Sequence, residues 1–349
     1  MRVNGWIIAI TSCLLFSSCE KEIEFNGEQT DPKLVINSLV EPGQPVSANI
    51  SKSVFFLDNE GNTTAPDDLV ATLFVNGDRI GEMVPHTDTL WSTWISYDHD
   101  GNPYHPYSIA TIYSSAYLPA IGDVVKIAAS ANGFDDAEAT TSPLPNAADV
   151  QWTPEVTNWV SFYQHEYNTE TYEYEEDSLL KIVAIVDFTI TITDPNPGQS
   201  DAFRLSIQRK KTDPTSENRI SCEFEYDDPI FSSALPDNDF IDMSDLDLRP
   251  EGVFSDVLFD GRSYQIKLKL SFYLTLDENY DPAFFQLPIS IEHLSKEYYN
   301  YLNTCEQGDE VAFQMYAEPI QTFTNVKGGY GLVGGRTATT LHYAVPLEE

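Results

Sequence analysis

The sequence predicts a mainly β protein: an N-terminal immunoglobulin-like β-sandwich over residues 33–145, then a β-rich C-terminal domain over residues 150–349 with one short C-terminal helix. Three observations predict it. Short segments rich in β-branched and aromatic residues alternate apolar and polar positions with period two. Gly, Pro, Asn and Asp punctuate them as turns. Only one stretch, behind Ser295, carries a cap followed by a helical stripe.

Residues 1–18 read as an export signal, with one cation at Arg2, an apolar run from Trp6 to Phe16, and small residues before Cys19. The run is too short for a stable bilayer anchor. The ending Phe16-Ser17-Ser18-Cys19 resembles a bacterial lipobox, in which the cysteine is lipidated and becomes the first mature residue; Phe16 stands where leucine is usual. An ordinary secretory signal or an uncleaved anchor is the alternative. Residues 19–32 form an acidic tether opening Glu20-Lys21-Glu22-Ile23-Glu24, whose charge cannot pack into a core. Acids at this place resemble the surface-export signal of Bacteroidota lipoproteins, which implies the outer face of the outer membrane.

From Lys33 onward the segments LVINSLV, VSANISKSVFF, VATLFV, SIATIYSSAYL and VVKIAASANGF read as strands. Asn76-Gly77 predicts a two-residue type I′ hairpin, because both positions tolerate the positive φ angles that such a turn requires. Regularly spaced strands of this kind suggest the immunoglobulin-like architecture, although the chain lacks a Cys-Trp-Cys pattern. Pro143 and Pro145 disfavour helix and central strand alike and mark the boundary. Beyond it, an aromatic and acidic opening leads to LLKIVAIVDFTITITD, a long strand or hairpin, and to the strand DAFRLSIQRKK. RSYQIKLKLSFYLTL then alternates lysines with apolar residues from Tyr264 to Leu276. Between these, Glu223 to Gly252 carries Asp227, Asp228, Asp237, Asp239, Asp242, Asp245 and Asp247 and is expected as a surface loop.

The helix KEYYNYLNTCEQ has Ser295 as its cap and Gly308 as its stop. Tyr298, Tyr301, Leu302 and Cys305 fall on one stripe, which packs on a sheet or faces a ligand. Further on, Gly329-Tyr330-Gly331-Leu332-Val333-Gly334 satisfies G-x-G-x-x-G. A dinucleotide loop needs a helix and further strand–helix units after it, and only the β-branched tail Arg336–Glu349 follows. The glycines are therefore expected to permit turns or close backbone approach.

The chain carries 19 Lys+Arg against 55 Asp+Glu, a formal net charge of −36. Such a surface repels polyanions, so no nucleic acid partner is expected and acyl chains are left to hold the membrane. With 42% hydrophobic residues there is material for two cores. Once Cys13 leaves with the signal and Cys19 takes lipid, Cys222 and Cys305 remain, either as a disulfide or as two separately buried thiols. Six histidines, His86, His99, His105, His165, His293 and His342, are scattered. Asp98-His99-Asp100-Gly101-Asn102 and Asp58-Asn59-Glu60-Gly61-Asn62 offer oxygen ligands but lack the distal glutamate of a calcium loop, and are read as polar turns. Glu175-Glu176 are adjacent on a strand and point oppositely, unlike a glycosidase pair. No GxSxG, HExxH, phosphate loop or complete ligand set occurs, so no enzyme, metal or cofactor is expected.

LSKEYYNYLNTCEQ followed by YAEPIQTFTNVKGGYGLVGG resembles the C-terminal signature of the Bacteroidota lipoproteins called domain of unknown function 4249. There a tyrosine-rich helix leads to an FAEP-like element, an asparagine and a glycine-rich segment. Tyr316-Ala317-Glu318-Pro319, Asn325, Gly328, Gly329 and Gly331 occupy those places, with Tyr316 where phenylalanine is common. FSDVLFDGRSYQIKLKL at Phe254–Leu270, Tyr226-Asp227-Asp228-Pro229, and the lipobox before LVINSLVEPGQPVSANISKS extend the likeness over nearly the whole mature chain. The resemblance implies a two-part outer-membrane lipoprotein associated with a TonB-dependent transporter, and it supplies no catalytic residues. The expected function is a surface-exposed accessory or ligand-binding partner of such a transporter; a structural or adhesion module of the envelope is the first alternative and a lipid-anchored enzyme the second. Tyr298, Tyr301, Gly328, Gly329 and Gly331 are the expected interface, because tyrosines give amphipathic contact area and glycines close approach. The acids from Asp237 to Asp247 would guide a cationic ligand or a basic partner.

Overall fold

The structure is a computed structural model and describes residues 31–54, 64–91, 96–97, 103–104, 106–168, 173–207, 219–226, 228–231, 252–276, 286–312 and 321–344. The signal, Cys19, the Asp58–Asn62 and Asp98–Asn102 turns, Tyr316–Pro319 and Asp237–Asp247 lie outside the described residues.

The N-terminal half is a two-sheet sandwich. In chain order it comprises β1 (Leu34–Val40), β2 (Val46–Lys52), β3 (Val70–Val75), β4 (Asp78–Glu82), β5 (Val84–Trp91), the short β6 (Ser96–Tyr97) and β7 (Pro103–Tyr104), β8 (Tyr107–Ser115), β9 (Val125–Ser130) and β10 (Ala137–Thr140). One sheet runs β1-β2-β8-β5 and the other β10-β9-β3-β4. This is the immunoglobulin arrangement, with four strands in each layer, while β6 and β7 pair with each other in a separate two-stranded sheet. Strand pleating sends Leu34, Ile36, Ile50, Leu73, Val75 and Ile127 into the shared core, each almost fully buried. The Asn76-Gly77 expectation holds: Asn76 has φ 52°, Gly77 has φ 89°, and Val75 pairs with Asp78 across a two-residue turn. The Asn76 side chain also accepts from the Val124 N–H at 2.9 Å and donates to Asp123 Oδ1 at 2.8 Å, tying this hairpin to the strand behind it.

The C-terminal half comprises β11 (Asp149–Asn168), β12 (Glu173–Thr193), β13 (Ala202–Ile207), β14 (Arg219–Tyr226), β15 (Val253–Ser255), β16 (Ser263–Leu276), β17 (Gln286–Leu294), the helix α1 (Lys296–Ala312) and β18 (Tyr330–Ala344). LLKIVAIVDFTITITD proves to be part of a single strand, and the aromatic, acidic opening is its antiparallel partner β11. Four strands form the sheet β11-β12-β16-β14. Lys267 and Lys269 of β16 point outward while Ile266, Leu268, Leu270, Phe272 and Leu274 point inward, as alternation requires. Against them pack Phe203, Leu205, Ile289 and Ile291 of the facing sheet, closing a second core.

The two halves share one sheet. Its order is β15-β13-β17-β18-β1-β2-β8-β5, so strands of both sandwiches lie in a single eight-stranded layer. The junction is a parallel pairing of β1 with β18, in register from Val35↔Tyr330 to Val40↔Gly335. The Pro143–Pro145 boundary thus does not divide the layer that both cores share.

Two local expectations change. The stretch assigned to a loop from Glu223 begins as strand β14 and continues into a 3-10 turn, Pro229–Phe231, whose Ile230 and Phe231 are buried. Asp228 makes that turn: its Oδ1 accepts from the Ile230 N–H at 3.0 Å and from the Tyr264 hydroxyl at 2.8 Å. Nor does Gly308 stop the helix, which continues to Ala312. A glycine inside a helix costs only about 1 kcal/mol relative to alanine, too little to end a hydrogen-bonded ladder by itself.

Candidate functional site

Of the expected interface residues, Tyr298 is buried, Tyr301, Gly329 and Gly331 are half-buried and Gly328 is exposed. Ser295 caps α1 as anticipated, facing the Tyr298 N–H at 3.4 Å, and its hydroxyl also accepts from the Gly335 N–H at 2.9 Å. Tyr298 is buried, and with Tyr301 and Leu302 it packs on Ala202, Leu294 and Leu332. The stripe therefore covers a sheet and does not face outward, because the eight-stranded layer would otherwise leave that apolar surface open to water. A Cβ on Gly328 would strike the Asp136 carbonyl oxygen, on Gly329 that of Leu34, and on Gly331 that of Ile36. The close approach predicted for these glycines exists, but the backbone they approach is the chain's own.

Around them the C-terminal segment is sewn to the N-terminal sandwich. Asn325 donates to the Thr140 carbonyl at 3.1 Å and to the Val333 carbonyl at 2.8 Å, and accepts from the Val333 N–H at 3.0 Å. Glu138 and Lys327 exchange two backbone hydrogen bonds, of 3.0 and 2.8 Å. Val326 and Val333 fill the N-terminal core. This segment thus touches the edges of both N-terminal layers.

Cys305 is a half-buried thiol, not half of a bridge. It lies beside Tyr301, whose hydroxyl is pushed up to about 12 by burial and by the hydrogen bond to that sulfur. The expected Cys222–Cys305 pairing fails for a topological reason. Cys222 sits on β14, attached at β16 of the four-stranded sheet, whereas α1 lies on β18, β13 and β15 of the other.

A buried ion network ties the shared layer together. Glu292, 2% exposed, binds Arg204 at 2.8 Å and Arg336 at 2.7 Å, and Arg336 reaches Glu41 at 2.6 Å. Burial opposes the charge of Arg336, yet Glu292 and Glu41 more than offset it and raise its pKa.

Among the described residues, one concentration of acids lies where the turn after β12 meets the turn between β15 and β16. Asp194, Asp256 and Asp260 each place a carboxylate oxygen within 4.8 Å of the others. Two of them are buried, Asp194 at 5% and Asp256 at 3% exposure. Backbone amides orient two of them: Asp194 accepts from Asn196 at 2.8 Å and from Gly261 at 2.5 Å, and Asp260 accepts from Gly198 at 2.7 Å. Gly198 and Gly261 have φ 82° and 69°, the left-handed backbone that folds both turns toward each other. Asp256 is different. Its Oδ2 is buried without a hydrogen-bond partner. Burial first, and then the charges of Asp201, Asp194 and Asp260, push its carboxyl above the usual range, against a hydrogen bond with the Asp201 backbone that lowers it. Beside this group Asp201 accepts from Asn196 Nδ2 at 2.8 Å and lies 3.3 Å from His293 Nε2, while His293 Nδ1 donates to the Asn146 carbonyl at 2.8 Å.

Local spacing gave no sign of this cluster. Asp256 and Asp260 stand in the FSDVLFDG stretch and Asp194 opens Asp-Pro-Asn-Pro-Gly, roughly sixty residues upstream in the chain. Two Asp/Gly turns flanking paired strands are the signal that could have joined them, since β12 and β16 pair from Leu180↔Leu276 to Thr193↔Ser263.

Among the described residues no helix is long and apolar enough to cross a membrane. The model of the family described as Domain of unknown function (DUF4249) matches residues 20–342. No curated protein matches the chain. A solved structure described as "Putative membrane anchored protein from Corynebacterium diphtheriae" is similar over 76% of this chain and 55% of that one, at 10% identity and a TM-score of 0.18. The chain belongs to the family its sequence matches.

Proposed function

We propose that this DUF4249 member is a lipid-anchored protein of a bacterial outer membrane, exposed at the cell surface, that serves a TonB-dependent transporter as accessory or ligand-binding partner. The observation that carries the anchor is the order of the N-terminus: an apolar run, small residues and Cys19, with the family match beginning at the next residue. Lipid on Cys19 supplies the attachment that a chain of net charge −36 cannot obtain from anionic headgroups. The partnership with a transporter rests on the family resemblance, and exposed apolar strand surface supports a protein partner. β5 is an edge of the eight-stranded layer, and Val84 is 68%, Leu90 41% and the neighbouring Ile109 64% exposed. Val84 and Leu90 project on one side of this ribbon and Ile109 on the other, by the pairings Val84↔Ser114, Leu90↔Ser108 and Thr89↔Ile109. Long edges with apolar side chains are surfaces that solitary soluble proteins blunt.

The other edge supports a second reading, as a structural or adhesion module. β11 ends its sheet, with Val160 47% and Tyr163 70% exposed, which suits pairing with another copy or another envelope strand. Gentle detergent extraction of the native complex separates the two. Recovery of a transporter with the protein is expected; self-associated protein free of any transporter favours the second reading and overturns the first. The anchor has its own test. Cys19→Ala should lose lipid labelling, undiminished labelling removes the lipobox, and protection from protease added to intact cells removes surface exposure.

A further inference from the structure

We infer that the carboxylates of Asp194, Asp256 and Asp260 form a binding site for calcium. The inference stands apart from the transporter partnership and neither needs the other.

Three properties carry it. The first is the orphaned Oδ2 of Asp256, on a side chain 3% exposed, within a group of carboxylates that converge to 4.8 Å. A buried anionic oxygen without a hydrogen bond is strongly disfavoured unless something positive meets it. The second is that no described residue supplies such a charge. Among the described residues no Lys, Arg or His forms an ion pair with Asp194, Asp256 or Asp260. His293, the nearest cationic candidate in the network, is directed to Asp201 and to the Asn146 carbonyl. The third is geometry. Calcium takes oxygen ligands at about 2.3–2.6 Å, so two oxygens on one ion stand at most about 5 Å apart. The three carboxylates meet that limit before any adjustment.

The donor chemistry selects the ion. All three donors are carboxylate oxygens, with neither imidazole nor thiolate among them, which excludes a preference for zinc or copper. The ligands come from two irregular turns, a frame that tolerates the variable coordination of calcium better than the strict octahedron of magnesium. Asp260 is exposed and gives the ion an entry path with room for water ligands, while Asp194 and Asp256 form the buried floor. Amides of Asn196, Gly198 and Gly261 hold the Asp194 and Asp260 carboxylates in place, as fixed second partners of ligands do. Bound there, the ion would clamp the turn after β12 onto the turn before β16.

The test uses the purified mature chain, stripped with chelator and titrated with calcium chloride by calorimetry and by thermal unfolding. Saturable binding in the range of about 10⁻⁴–10⁻³ M, typical of extracellular modules, and a higher unfolding temperature are expected. Asp256→Asn should weaken the affinity at least about tenfold and remove the thermal response, yet unfold at a higher temperature than the wild type when both are metal-free, because its buried charge is gone. Asp260→Asn, at an exposed position, keeps the test valid if the buried variant fails to fold, and should also weaken binding. Asp67→Asn, exposed and outside the cluster, should change nothing. No calcium response in the wild type up to several millimolar overturns the inference, taking the weak extracellular class as the limit. So does a response that all three variants retain, which would be the diffuse attraction of an acidic surface, and so does magnesium binding as tightly as calcium.

Discussion

Replacing Gly329 by alanine should break the seam between the two halves. The residue has no unusual φ to lose, so the effect is steric alone: the new Cβ would overlap the Leu34 carbonyl and come to 3.1 Å from the Ala137 Cβ. Backbone lies on one side and a core side chain on the other, so relief requires the segment to lift from β1. Lifting loses the two Glu138–Lys327 backbone bonds and the one from Asn325 to the Thr140 carbonyl. At about 1 kcal/mol net for each hydrogen bond, full lifting costs about 3 kcal/mol, and partial relaxation brings the expected loss to about 2–3 kcal/mol. Gly77→Ala is the control. Gly77 has a left-handed φ of +89°, unlike Gly329, but no atom within 4 Å of its Cβ, so only the conformational cost of about 1 kcal/mol applies. Gly331→Ala combines both, with φ +105° and the Ile36 carbonyl in the way, and should be the most damaging. Urea unfolding of the three variants measures the order, and hydrogen exchange across residues 325–335 shows whether loss begins at the seam. A Gly329→Ala protein no less stable than Gly77→Ala would refute the reasoning.

Glu292→Ala should destabilise by about 3–5 kcal/mol, because Arg204 and Arg336 would keep buried charges without their shared partner; a loss under about 1 kcal/mol would show the network to be dispensable. Cys305 should alkylate in unfolded, unreduced mature protein, and a disulfide-linked Cys222–Cys305 peptide would contradict the topology. The pKa of Asp256 is raised above its ordinary 3.8, so its contribution to stability is fully present at low pH and is lost as pH rises through the folded value. Chelated protein should therefore weaken as pH climbs above roughly 4, with Asp194, Asp201 and Asp260 as the facing charges. Asp256→Asn should flatten that decline; an unchanged profile would remove Asp256 as its origin.

Strand content and the immunoglobulin-like layer order were legible because their cause is local. The pleat of β16 writes its burial directly into alternating letters, and Asn76-Gly77 encodes a turn through φ alone. The shared layer was not legible. β1 and β18 lie roughly three hundred residues apart, and parallel pairing leaves no turn signal between partners. The same gap hid the contacts of the glycine-rich segment. Gly328, Gly329 and Gly331 announce that a backbone comes close, and sequence alone does not say whose. β11 was obscured for another reason: as an edge strand it carries exposed polar residues along much of its length, which dilutes alternation.

The acid cluster shows where sequence patterning stops and topology begins. Asp194 and Asp260 each sit in Asp/Gly turn sequence, but only the Asn196 amide bond to Asp194 is local turn chemistry, and the Gly261 and Gly198 amides each reach a carboxylate of the other turn. Turn chemistry accounts for neither the burial of Asp256 nor its orphaned oxygen. Those follow from the register of β12 on β16, which ends at Thr193↔Ser263 and so brings the following turn of one strand against the preceding turn of the other. A one-residue slip would send every side chain of β16 to the wrong face, so the core that fixes Ile266, Leu268 and Leu270 inward also fixes the acids together. The hydrophobic pattern, legible from the letters, thus dictates a convergence of charge that the letters nowhere announce.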